Sequence, residues 1–251
     1  MRTHAVYAPL AGGLGIIAIL VVLQKAVSAG LISPWIMPPP SEVVNALVGI
    51  ISSGTALEPL ARTAGAVGAT LALVLIVGIP VGLFLYTRRG WGAASEGILS
   101  NLFAVPMVLL FPVFLVIFGR NYFAITLCAF VHCVIPVIIY TREGLLAVPQ
   151  VFLNVGKIYR LTSSAMFWKI MLPYALPTIF MGIRLSVIYL LVYVVGIEFL
   201  VSYGGLGAII ADYYMRFDVV NTYAAISLVV LLSMSFYFGL RGSELCLRRL
   251  R

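Results

Sequence analysis

Few residues in this 251-residue chain have the chemistry of a reactive centre. Glu198 sits in Val195-Gly196-Ile197-Glu198-Phe199-Leu200, a carboxylate inside an apolar run, where a charge at mid-bilayer costs about 2.5–3.5 kcal/mol. Such a group needs a partner. Arg184 lies in the same run, about 14 residues and so roughly 21 Å away along a helix, and by its charge is the better candidate to meet an anion. Cys128 and His132 are four apart and therefore on one helix face, with Cys133 adjacent, which is the beginning of a metal site. A third ligand on that face is missing, and packing is the preferred reading. Gly156-Lys157 lacks the earlier glycine of a phosphate-binding loop and is followed by Ile158 rather than Ser or Thr. The chain has no convincing nucleophile with a base at helical spacing, so an enzyme is not indicated.

The elements that carry these residues are spans of a membrane protein. The chain is 63% hydrophobic and 10% charged, against about 25% charged for a soluble domain. A bilayer core takes about 20 mostly apolar residues per helix, and such runs recur at about Tyr7 to Leu23, Ala64 to Tyr86, Leu102 to Phe118, Phe123 to Tyr140, Pro177 to Ser202 and Tyr223 to Gly239. The expected fold is an all-α bundle of about six transmembrane helices. Residues 1–30 form the first helix, retained although Val27-Ser28-Ala29 resembles a signal-peptidase site. Residues 31–63 form an external loop, in which Ser41 caps a short amphipathic helix carrying Val43, Val44, Leu47 and Ile50 along the membrane surface. Residues 64–240 form the core, and 241–251 a basic tail.

The net charge of +8 does not point to nucleic acid, because the basic residues cluster between spans, where they set orientation. With the N-terminus inside, Arg2, Arg88, Arg89, Arg142, Lys157, Arg160, Lys169, Arg241, Arg248, Arg249 and Arg251 are cytoplasmic, most of the 16 basic residues. Both termini are expected in the cytoplasm. Glu198 then lies about 32 Å from Pro177 along its helix, near the outer interface. There it accepts backbone N–H groups from the Gly204-Gly205-Leu206-Gly207 turn, or else serves as a gate. Arg184 lies near the cytoplasmic edge and snorkels to headgroups. Cys128, Cys133 and Cys246 offer no disulfide framework. Gly65, Gly68, Gly78 and Gly82 suit close helix packing.

The longest cytoplasmic segment is Thr141 to Leu176. Val151, Val155, Ile158, Leu161 and Ala165 recur at helical spacing, and Pro173 and Pro177 are expected to break one helix and start the next. A helix outside the membrane needs something to bind. The end of this segment, Ile170, Leu172 and Pro173, resembles the coupling loop of ABC importer permeases, whose pattern runs from Glu-Ala-Ala through a glycine to Ile-x-Leu-Pro. In that register the glycine falls on Arg160 and the triplet on Asn154, Val155 and Gly156, two departures from the pattern. Tyr159-Arg160-Leu161 followed by Phe167-Trp168 resembles the nitrate, sulfonate and taurine branch. Met37-Pro38-Pro39-Pro40, Gly78-Ile79-Pro80-Val81-Gly82, Pro106, Pro112, Gly182, Arg184, Glu198 and the Gly204 to Gly207 turn follow in the same order.

The resemblance implies a type I importer fold without its own ATPase site, and no cofactor in this chain, ATP and magnesium being bound by the partner. It implies two cytoplasmic ABC ATPase subunits, a second permease copy or paralogue, an external substrate-binding protein and a small anion or vitamin precursor as cargo. A short helix at about Asn154 to Ala165 would seat in the ATPase, with Val155, Ile158 and Leu161 as apolar knobs and Lys157, Tyr159 and Arg160 around them. The alternative is a stand-alone secondary transporter, which would commonly show repeated halves and midplane ionisable pairs.

Overall fold

A computed structural model describes residues 4–249. In chain order it contains α1 (His4–Ser28), α2 (Pro40–Ser52), α3 (Leu57–Thr87), α4 (Arg89–Ala104), a 3-10 turn (Met107–Leu110) and α5 (Phe111–Phe118). There follow α6 (Tyr122–Leu146), α7 (Gln150–Ile158), α8 (Ser163–Met166), a π-helical turn (Phe167–Met171), α9 (Leu172–Val201), α10 (Leu206–Met215) and α11 (Val219–Arg249). Among the described residues there is no strand, as an apolar solvent requires of a chain that satisfies its backbone within each span. Arg2, Arg251 and the side chains of Arg89, Cys246, Arg248 and Arg249 lie outside the described residues.

Among the described residues, four helices are long and apolar enough to cross a membrane: α3, α6, the run Ser163–Val201 and α11. The α4 segment and Met107–Phe118 form a fifth candidate, bent by 75°. The expected straight span at Leu102 to Phe118 is therefore a broken one, because Val105 turns extended ahead of Pro106, which has no N–H to continue the ladder. Over its described side chains α1 is a shorter apolar helix, Gly13–Ser28.

The bundle is built around α6, whose most apolar stretch is 61% buried, against 28% for α3 and 22% for α11. Small residues set the spacing. A Cβ on Gly78 would lie 2.8 Å from Val137 Cγ1, and one on Gly144 would lie 3.0 Å from the Ala175 carbonyl, so α3 and α9 both approach α6 through glycines. Gly65 and Gly68 face open space, and only the Gly78 and Gly82 half of the glycine stripe packs against a neighbour.

Two further expectations are corrected. Ser41 is not a cap: α2 follows Pro39 and carries Pro40 in its first turn, where a missing N–H costs nothing. That helix buries Ile50 and packs Val43 and Leu47 into the core alongside α11. Pro173 and Pro177 do not break the chain into two helices; Pro173 occupies the first turn of α9 and Pro177 is carried inside it. A continuous 39-residue run from Ser163 to Val201 results, widened at Phe167–Met171.

Candidate functional site

The loop between α6 and α9 is folded. Pro149, with φ −62° and ψ 138°, sets the entry to α7. At the other end Tyr159 is the last half-helical residue, and Arg160 adopts φ +51°. The Leu161 N–H then reaches back to the Gly156 carbonyl at 3.0 Å and the Arg160 N–H to the Lys157 carbonyl at 2.9 Å. Those two bonds are a Schellman cap, whose left-handed position normally holds glycine. It is the position where the importer pattern carries its glycine. Here an arginine occupies it, at a cost of about 1–2 kcal/mol in backbone strain.

Gly156 explains how the loop is tied down. A Cβ there would lie 2.5 Å from the Met166 sulfur and 2.9 Å from Ile170 Cδ1. The helix therefore rests its glycine face on α8 and the π turn. Thr162 caps α8 by accepting from the Ala165 N–H at 3.2 Å. Leu172 and Pro173 belong to the joint with α9 rather than to the free surface, and Ile170 to the contact beneath Gly156. The helix itself is Gln150–Ile158 and stops short of the expected Ala165.

The opposite face is apolar and open. Ile158 is 78% exposed and Tyr159 76%, with Val151 and Val155 beside them, while Phe152 turns its ring toward Tyr174 of α9 at 5.8 Å. Asn154, Lys157 and Arg160 are also exposed. Leu161 is half-buried, so it is a weaker knob than its spacing suggests.

At the far end of α9, Glu198 is fully buried. Its carboxylate accepts the Thr63 hydroxyl at 2.8 Å and the Gly207 N–H at 3.1 Å, and the Thr63 oxygen in turn accepts the Leu206 N–H at 2.8 Å. One carboxylate and one hydroxyl thus join α3, α9 and the start of α10. The expected turn supplies one donor to Glu198, from Gly207; Gly204 supplies none and instead turns the chain at φ +69°. Gly205 and Gly207 are needed for space: a Cβ on Gly205 would collide with the Glu198 carboxylate, and one on Gly207 with the Val195 carbonyl and Phe199 N. Arg120 donates to the Ser202 carbonyl at 2.8 Å, closing the C-terminus of α9.

Arg184 does not snorkel unpaired. It reaches Glu244 on α11 at 2.8 Å and lies 6.0 Å from the centre of the Tyr237 ring. His132 sits among rings, stacked on Phe103 at 4.7 Å, and Cys128 donates to the Met107 carbonyl at 3.7 Å, an arrangement of packing rather than ligation.

Comparison with known families places residues 74–243 in a single model, described as binding-protein-dependent transport system inner membrane component. The chain belongs to this family. It is the membrane subunit of an ABC importer and not a stand-alone transporter. A bicarbonate transport system permease protein of Synechocystis is 32% identical over 91% of this chain and 81% of its own length. The taurine transport system permease protein of Escherichia coli is 26% identical over 92% and 86%. In fold, this permease is similar to the MetNI methionine ABC transporter in an inward-facing form. That match has a TM-score of 0.66 at 20% identity and covers 76% of this chain and 95% of that one.

The residue of this permease that sequence reasoning missed is Thr63. A lone threonine in an apolar helix gives no local signal, and its partner is 135 positions away. Glu244 was missed likewise, since a carboxylate among tail arginines reads as a solvated charge.

Proposed function

We propose that this importer subunit carries a small anion and takes its energy from cytoplasmic ATPases docked on α7. The exposed apolar face of α7, at Val155, Ile158 and Tyr159, supports the docking reading: it is rigidly mounted on the base of α9 through Gly156 and Ile170. Lys157 and Arg160 flank that face and suit an acidic rim. Two ATPases, each on the α7 of one membrane subunit, and an external binding protein complete the assembly. Both termini and α7 lie in the cytoplasm, in line with the clustering of basic residues between spans. The chain binds no ATP itself and is no enzyme. The cargo reading rests on relatives named for bicarbonate, nitrate and taurine.

Ile158→Asp and Tyr159→Asp change only exposed side chains, so both variants should reach the membrane intact yet lose the co-purifying ATPase, with uptake falling at least tenfold, about 1.4 kcal/mol of coupling. Normal co-purification and uptake in both would refute the docking face. Proteoliposomes holding the assembly and its binding protein, loaded in turn with bicarbonate, nitrate and taurine, identify the cargo by stimulated ATP hydrolysis. Stimulation only by a cation, or by a solute with no acidic group, would refute the reading; taurine counts through its sulfonate, although its ammonium group leaves it neutral overall.

A further inference from the structure

Between α4 and α5 the backbone is not helical. Val105 is extended at φ −70° and ψ 126°, Pro106 follows at φ −72° and ψ 83°, and the two helical pieces meet at 75°. Contacts fix the depth of this break. Phe103, just before it, stacks on His132 at 4.7 Å and meets Tyr189 edge-on at 5.2 Å, and Met107, just after it, accepts from Cys128. His132 is about 15 Å from one end of α6 and about 21 Å from the other. Tyr189 is similarly central in α9. The break therefore lies at the middle of the bundle.

Its outer side is uncovered: Ala104, Val105 and Pro106 are all exposed. The last carbonyls of α4 have no partner within their own helix, and among the described residues only that of Leu102 is recovered, by the Val105 N–H at 3.3 Å. Irregular backbone at membrane depth does not face lipid; it is buried in protein or lines water. A second copy packed on this face would bring mostly apolar side chains, Val105, Leu109 and Leu110 among them, with Ser100 and Asn101 the polar exceptions beside the break, and amides that already serve their helices. Water lining this face would satisfy the remaining carbonyls. Just behind the break, His132 Nδ1, on a residue 3% exposed, has no hydrogen-bond partner among the described residues, a second polar group awaiting one.

We propose that the α4–α5 break forms part of the wall of the solute passage, with Ala104, Val105 and Pro106 against its water and Phe103, His132 and Tyr189 as the backing. The proposal rests on the importer reading, which requires a passage. It assigns a place to it.

The test uses whole transporter in cells, in a background of Cys128→Ser, Cys133→Ala and Cys246→Ser; serine at 128 keeps the donor to Met107. Ala104→Cys and Val105→Cys are made separately, and only transport-competent protein is scored, so a failed importer reading shows itself first as absent uptake. Both thiols should react with anionic sulfonatoethyl methanethiosulfonate about tenfold faster than the buried Cys133 does in a separate Cys128→Ser, Cys246→Ser reference protein, reactivity following access, and uptake should fall as they are modified. Reaction only with a lipid-soluble maleimide would place the break against lipid. Protection from both reagents, or an oxidative cross-link between two copies without anionic labelling, would place it in a protein contact. Each of these overturns the proposal.

Discussion

Replacing Thr63 by valine keeps the shape of the side chain and removes one hydroxyl. That hydroxyl donates to Glu198 at 2.8 Å and accepts from the Leu206 N–H at 2.8 Å, and both partners belong to buried residues. A hydrogen bond to a charged group contributes about 1.5–3 kcal/mol, and a buried donor left unpaired costs about 1–3 kcal/mol. Side-chain bonds between membrane helices average only about 0.6 kcal/mol and reach about 1.7 kcal/mol, which favours the lower half of each range. Together these give a loss of about 2–4 kcal/mol. At roughly 2–4 °C per kcal/mol for a chain of this size, the apparent melting temperature of the detergent-purified protein should fall by about 4–16 °C. Thr63→Ser keeps the hydroxyl and should lose less than half as much. The reasoning is refuted if Thr63→Val melts within about 2 °C of the parent, or if serine and valine lose the same amount, since the methyl group and not the hydroxyl would then carry the contact.

Gly207→Ala places a methyl group against the Val195 carbonyl and Phe199 N, neither of which can step aside. Size-exclusion of a fluorescent fusion should show little folded protein, whereas Gly65→Ala, facing open space, should run as the parent. Arg160→Gly relieves a left-handed arginine and should slow hydrogen exchange in α7 by about three- to tenfold, matching roughly 1 kcal/mol, while Arg160→Val should speed it.

Most of the spans were legible because an apolar stretch long enough to cross a bilayer can do little else, and so was a helix between Val151 and Ile158 in the segment from Thr141 to Leu176. The family resemblance was legible too, in the Ile170, Leu172 and Pro173 end of that segment. Which prolines break a helix was not. Pro80, Pro136 and Pro177 lie inside helices, whereas Pro106 ends one, and all four stand in similar apolar surroundings. The difference is decided by neighbours: Pro177 is carried on a helix packed along α6, while Val105 and Pro106 have an open side. The partners of charged groups were equally hidden. Glu198 announced that it needed one, yet only the crossing of α3 with α10 brings Thr63 and Gly207 to it. Gly156 looked like a lost motif residue and is instead the contact point of α7 on Met166.

The unbroken run from Ser163 to Val201 has a mechanical meaning. At 1.5 Å per residue, Ser163 and Glu198 are about 52 Å apart along one stiff strut, footed beside α7 and pinned at its head to Thr63. Rocking such a strut by about 10° about its foot would sweep the head sideways by about 9 Å. Because the head is fastened to α3 and to the turn leading into α10, neither could stay behind.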